Sequence, residues 1–390
     1  MSACGPSHRF TELGEGRGRV VLAETVERYA RADIETSRAR IPELKDIPPI
    51  EHGVECLEVT YETVDLEERP TLASGIVCLP LDGKEAVPLI SYQHGTEVAD
   101  GAVPTGGDSD FAAFMALFFS GGGYAVCASD YLGLGASERK GIHPYLHATS
   151  EANASIDMIR AAHHVARAMG IPLSDRLYLT GYSQGGHATM ALSKALQAQH
   201  AEELPVSAAM PMGGPYDLSR TSLDAVLRQP QLASSLYLAY ILLGYNRVYD
   251  LFASPSDVFR DAPLVERLFD RTHGFEEVLE KLPATPEALL TPEYFAALRD
   301  DPAHPLRRAA RENDLYDWRP HEPVRLCHGE ADLDVPFQNA VIAEGRMKEL
   351  GADVAIVSVG ALDHQNAVTP CHIEARRWFD TLEPRAAGER

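Results

Sequence analysis

Leu177-Tyr178-Leu179-Thr180-Gly181-Tyr182-Ser183-Gln184-Gly185-Gly186 is the most informative stretch of this 390-residue chain. Leu177 to Thr180 reads as a short apolar strand, and the residues after Ser183 read as a helix to about Gln199. Gly181 to Gly185 spell G-x-S-x-G at the junction. A serine held on a sharp, strained strand-to-helix turn needs neighbours without bulky side chains, which the flanking glycines supply. Elsewhere in a chain the same five residues would be an ordinary turn. Between a strand and a helix they mark Ser183 as a nucleophile. His187, just beyond, reads as a helix residue.

The same rhythm extends outward from this point. Val54 to Val64, Leu72 to Leu79, Val87 to Tyr92 and Tyr124 to Ser129 are strand-like on the N-terminal side, and Val206 to Met212 is strand-like beyond the helix. Phe111 to Phe119 and a segment capped by Ser150, with Met158, Ala162, Val165 and Met169 on one face, read as helices. Strands alternating with helices of this length predict an α/β fold with a mainly parallel central sheet flanked by helices. From about Pro215 to Pro320 the chain is helix-like and interrupted by prolines. Val324 to Cys327 and Val354 to Val359 then resume the strands, and Thr369 to Leu382 reads as a terminal helix. The expected division is an N-terminal extension over 1–50, a core over 51–214 and 321–390, and a helical cap inserted at 215–320.

The strand, turn and helix around Ser183 resemble the nucleophile elbow of the α/β-hydrolases, in which an acid and then a histidine follow the serine in chain order. Of the fifteen histidines, only His364 and His372 follow the acid candidates. His372 falls in the terminal helix and is expected on its surface, which leaves His364, in the loop after the strand Val354 to Val359. Asp332 is the preferred acid, three residues after Gly329 in the frame G-x-x-D-x-x-V-P; Asp334 is its rival. Asp363, adjacent to His364, reads as a turn residue. The loop His94-Gly95-Thr96 follows a strand end, where this fold supplies one backbone N–H to a developing oxyanion. The residue after the nucleophile supplies the other. The expected donors are the N–H groups of Thr96 and Gln184.

Taken together, Ser91 to Thr96, Ser129 to Gly135, Gly181 to Gly186, Gly329 to Pro336 and Asp363-His364 resemble the secretory-lipase branch of the α/β-hydrolases. The resemblance implies a helical cap, acyl-ester substrates (small molecules or lipids) and no cofactor. Cleavage of an amide, or acyl transfer to another acceptor, would use the same three side chains. A non-catalytic binding module on this fold is the reading from another class, and such modules usually lack a member of the triad. His94, Gly95, Tyr131, Tyr182, Tyr237 and Tyr240 are the pocket candidates. Asp130 and Tyr131 could equally be packing residues at a strand end, and the apolar run Leu236 to Leu243 could be an acyl pocket, a moving lid or the cap's own core.

Composition removes other classes. The formal net charge of −22, from 35 Lys+Arg against 57 Asp+Glu, opposes a nucleic-acid partner. No run approaches the ~20 apolar residues that span a bilayer. His143 and His147 stand four apart, but Pro144 breaks any helix there, so a loop is expected and no metal site. Gly14 to Gly18 lacks a preceding strand and is no dinucleotide loop. The six cysteines form no short framework, Cys78 and Cys127 read as small buried hydrophobes, and the absence of an apolar leader predicts a cytoplasmic location. The alternative is export, since Met1-Ser2-Ala3-Cys4 resembles the end of a lipoprotein signal.

Overall fold

The computed structural model describes residues 7–82, 85–137 and 141–383; the lipoprotein-like start lies outside these. Among the described residues ten strands form one sheet: β1 (Arg9–Leu13), β2 (Val20–Tyr29), β3 (Val54–Val64), β4 (Pro70–Pro80), β5 (Val87–Gln93), β6 (Ala125–Ser129), β7 (Leu173–Tyr182), β8 (Ala208–Met212), β9 (Val324–His328) and β10 (Val354–Ser358). Their order is β1-β2-β3-β4-β6-β5-β7-β8-β9-β10. From β6 to β10 every pair is parallel, and from β1 to β4, with the β4–β6 junction, every pair is antiparallel. All seven residues of β5 are buried, as a parallel strand covered on both faces requires.

Helices cover both faces. On one side α3 (Ala148–Ala168), α4 (Gln184–Gln199) and α12 (Gln338–Glu349) contribute to a cluster with Leu57, Leu89 and Leu179. On the other, α1 (Arg31–Arg40), α2 (Phe111–Phe118) and α13 (Val368–Leu382) pack with Ile76, Ile90 and Tyr178. Between β8 and β9 run α5 (Leu223–Arg228), α6 (Ser234–Tyr249), α7 (Ala262–Leu268), α8 (Phe275–Lys281), α9 (Pro286–Leu289), α10 (Pro292–Asp300) and α11 (Pro305–Glu312). These helices have a third apolar cluster of their own, centred on α6, which reaches back to Val98, Tyr145 and Leu146.

Several expectations change. The first fifty residues supply two sheet strands and a helix, because β1 and β2 pair with each other and β2 pairs with β3. The first helix after β6 begins at Ala148, ahead of Ser150. Cys78 is bonded to Cys56, its direct neighbour across β3 and β4, and Cys327 is bonded to Cys371, across β9 and α13. Cys127 is buried and free. Paired structural cysteines belong to oxidising compartments, so a cytoplasmic location finds no support here. Among the described residues, no helix is long and apolar enough to cross a membrane.

Candidate active site

The turn at Ser183 is built by close approach. A Cβ on Gly181 would lie 2.3 Å from the Gln93 carbonyl oxygen, and one on Gly185 would lie 1.9 Å from the same atom. One on Gly186 would lie 2.4 Å from the carbonyl of Met212. Strands β5, β7 and β8 therefore meet α4 so tightly that only glycine fits around the serine. Ser183 itself has φ 61 and ψ −120, a conformation that side chains rarely adopt and that surrounding structure must hold. Its N–H donates to the Met212 carbonyl (2.9 Å), while α4 begins at the next residue.

Nε2 of His364 lies 2.9 Å from Ser183 Oγ, and Nδ1 of the same ring lies 2.6 Å from Asp332 Oδ2. The two loops that carry this histidine and this aspartate are bonded to each other. Glu330 N–H donates to the Gly360 carbonyl (2.8 Å) and Ala331 N–H to that of Leu362 (3.1 Å). Gly329 permits the crossing, since a Cβ there would sit 2.3 Å from Leu362 O. Tyr182 donates its hydroxyl to the carbonyl of His364 (2.6 Å), which fixes the loop from the other side. Asp363 accepts from Asn366 in its own exposed turn. Asp334 lines the cavities beside Ser183 and is not on the ring.

Asp332 has a second imidazole partner. His328 Nε2 faces both Val335 O (2.9 Å) and Asp332 Oδ2 (3.3 Å), so this nitrogen carries the proton and donates. Val335 N–H donates to the other carboxylate oxygen (2.8 Å). Burial pushes the Asp332 pKa up, but hydrogen bonds from His328 and His364 outweigh it and hold the group down at about 2. Sequence reasoning missed His328, although its place at the end of β9, four residues before Asp332, was an available signal.

Gly95 approaches the nucleophile: a Cβ there would be 4.0 Å from Ser183 Cβ. Thr96 lines the same cleft, with its hydroxyl 2.8 Å from that of Tyr145. Gln184 is the first residue of α4, where N–H groups lack an intrahelical acceptor. Two cavities meet at Ser183. One is apolar, with Leu218, Leu223, Val226, Leu238 and Ile241 in its wall. The other is a cleft reaching His364, lined by Leu232, Phe275 and the carboxylates of Glu97, Glu276 and Asp334. Burial raises the Glu97 pKa to about 7.

Of the six pocket candidates, Gly95, Tyr182 and Tyr237 line the cleft, and Tyr237 lines the apolar cavity too. His94, Tyr131 and Tyr240 are buried behind these walls. Tyr240 stacks on Tyr145 (4.6 Å) and donates to Glu97 O, a packing role within the helical insertion. His372 is fully buried against Tyr92, contrary to its expected place on a helix surface. His143 is committed to Leu132 and Gln184, and among the described residues no group of three or more potential ligands could hold a metal ion.

A two-faced sheet, a strained serine at the β7–α4 turn and a histidine on the loop after the last strand define an α/β-hydrolase of the carboxylic ester hydrolase class. Within that class, residues 111–227 match the secretory lipase family. The fold is similar to that of the rice cell wall degrading esterase LipA from Xanthomonas oryzae in a ligand-bound form (TM-score 0.87, 29% identity, 95% of this chain and 100% of that one). A candidate hydrolase from Legionella pneumophila is similar over the same shares of both chains (TM-score 0.88, 29% identity). Candida antarctica lipase A shares the fold at 18% identity (TM-score 0.65, 95% of this chain and 84% of that one). No curated protein is a significant match by sequence.

Proposed function

We propose that Ser183, His364 and Asp332 form a catalytic triad that cleaves carboxylic esters by two-step acyl transfer. The observation that carries this reading is the continuous path from Ser183 Oγ through the His364 ring to Asp332, at 2.9 and 2.6 Å. His364 takes the serine proton as Oγ attacks the ester carbonyl, and Asp332 holds the ring's tautomer and stabilises the imidazolium. The N–H groups of Thr96 and Gln184 hold the oxyanion. His364 then returns the proton to the leaving alcohol, and water hydrolyses the acyl-enzyme by the same steps. The apolar cavity suits the acyl chain and the cleft on the His364 side suits the alcohol.

We further propose that residues 51–214 and 321–390, joined at the sheet edge by β1 and β2, act as the core, and 215–320 as the cap that walls the acyl cavity. Export fits the two disulfides and the match to a secretory family. The test is turnover of p-nitrophenyl esters from acetate to palmitate, with Ser183→Ala as the control and Val226→Trp as a probe of the acyl wall. Esters should turn over, Ser183→Ala should not react with a fluorophosphonate, and Val226→Trp should shorten the longest chain accepted. Turnover of an amide and of no ester would overturn the reading.

A further inference from the structure

A buried chain of polar groups that the triad does not use ends on the proposed oxyanion donors. Gln184 is 1% exposed, and its side-chain NH2 is shared between His143 Nε2 (2.7 Å) and Glu151 Oε1 (3.0 Å). The other oxygen of Glu151 lies 2.7 Å from His187 Nδ1, and His187 Nε2 lies 3.0 Å from the carbonyl of Asn313. Both nitrogens of that ring face oxygen atoms, so His187 bridges the Glu151 carboxyl group to the Asn313 carbonyl. On the other side the His143 ring stacks on Tyr131 (5.5 Å), Tyr131 stacks on His94 (4.3 Å), and the Tyr131 hydroxyl donates to His94 O (3.1 Å). Thus one connected set of side chains joins the loop before Thr96 to the first residue of α4.

The Gln184 side chain is only partly satisfied. Its Oε1 is buried without a hydrogen-bond partner. Its NH2, by contrast, is fully used, one hydrogen to each acceptor. Tyr131 is also held in a left-handed conformation, φ 65, which β-carbon sterics disfavour. An unsatisfied oxygen and a strained backbone lie on the same line between the two donors.

We infer that Glu151, anchored by His187, is a positioning residue: through the Gln184 amide it fixes the first N–H of α4, and so the spacing of the two oxyanion donors. This rests on the triad reading above. Neither Glu151 nor His187 touches the substrate, and their effect belongs to the transition state, where charge forms on oxygen.

Three variants test it: Gln184→Met, which keeps the backbone N–H and removes the tether; Glu151→Leu, which removes the anchor; and Glu151→Gln, which can still accept from Gln184 while donating to His187 Nδ1. Active sites are counted with a fluorophosphonate, kcat and KM are measured on p-nitrophenyl butyrate, and Ki is measured for an alkyl trifluoromethyl ketone, whose adduct places an oxyanion in the hole. Gln184→Met and Glu151→Leu should lower kcat per active site about tenfold with KM unchanged, short of the ~10²–10³ for deleting a donor. The ketone Ki should weaken by the same factor, and Glu151→Gln should stay within about threefold of the parent. Should Glu151→Leu fail to fold, Gln184→Met decides. Fully labelled Gln184→Met enzyme with parental kcat and ketone Ki would overturn the inference, as would equal losses in Glu151→Gln and Gln184→Met. Parent enzyme that reacts with no fluorophosphonate would instead break the triad reading.

Discussion

Two histidine–carboxylate pairs flank the serine, and they are nearly the same pair. His364 and Asp332 meet at 2.6 Å, His187 and Glu151 at 2.7 Å, and all four side chains are buried. What differs is the second nitrogen of each ring. In His364 it faces a hydroxyl, which can give up a proton; in His187 it faces a backbone carbonyl, which can only accept one. On the proposed mechanism the first ring cycles between neutral and charged forms during turnover. The second has no hydroxyl to serve and bridges Glu151 to Asn313. An imidazole beside a carboxylate is therefore no sign of acid–base chemistry until its far side is known.

The sharpest way to break this contrast is to remove each ring. His364→Ala should lower kcat by about 10⁶, as loss of the base does in serine hydrolases. His187→Gln should cost no more than about thirtyfold, since it only loosens a donor whose outright loss costs ~10²–10³. Single-turnover acylation by p-nitrophenyl acetate measures both on one scale, and similar losses would erase the distinction. Neutralising the carboxylates is the next test. Asp332→Asn keeps the shape but favours the wrong tautomer of His364, at a cost of about 10⁴ in kcat. Glu151→Gln costs at most about threefold, because an amide can satisfy both of its neighbours.

A smaller effect separates the partners of Asp332. His328→Phe removes the donor 3.3 Å from Asp332 Oδ2 and leaves His364 in place. One charge-assisted hydrogen bond is worth about 1.5–3 kcal/mol, and since only its change between ground and transition state enters kcat, a loss of about tenfold is expected. Steady-state kcat with p-nitrophenyl butyrate measures it, and a loss as large as that of Asp332→Asn would make His328 a partner equal to His364.

How legible these pairs were differs for a physical reason. The serine announces itself because its strained turn forces glycines into adjacent positions. His364 and Asp332 follow from chain order and from strand ends. The sheet was legible where strands are buried on both faces, as in β5 and β7. It was illegible at β1 and β2, whose residues are mostly exposed or half-buried and carry little apolar pattern. Glu151 and His187 are 36 positions apart on two helices, and nothing local marks either one. The disulfides were hidden likewise: Cys56 and Cys78 are 22 apart and meet only because β3 and β4 pair in that register.

The smallest effect is in acid stability. The folded-state pKa of Asp332, about 2, lies below the ~3.9 of a free aspartate, so its charged form is stabilised by folding. A depressed acid contributes stability above its unfolded value and loses it as pH falls through the folded one. That contribution, on the order of 2 kcal/mol, is present above about pH 4 and disappears toward pH 2. Glu151 is lowered too: burial opposes the shift, and the charge and hydrogen bond of His187 overcome it. Both carboxylates should steepen acid unfolding, so urea unfolding between pH 2 and 5 should show a shallower pH dependence in Asp332→Asn and in Glu151→Gln alike. Stability then treats the two pairs as equivalents while turnover does not. If Asp332→Asn leaves the acid slope unchanged, its carboxylate is not held by the two imidazoles, and the geometry that distinguishes the pairs loses its electrostatic basis.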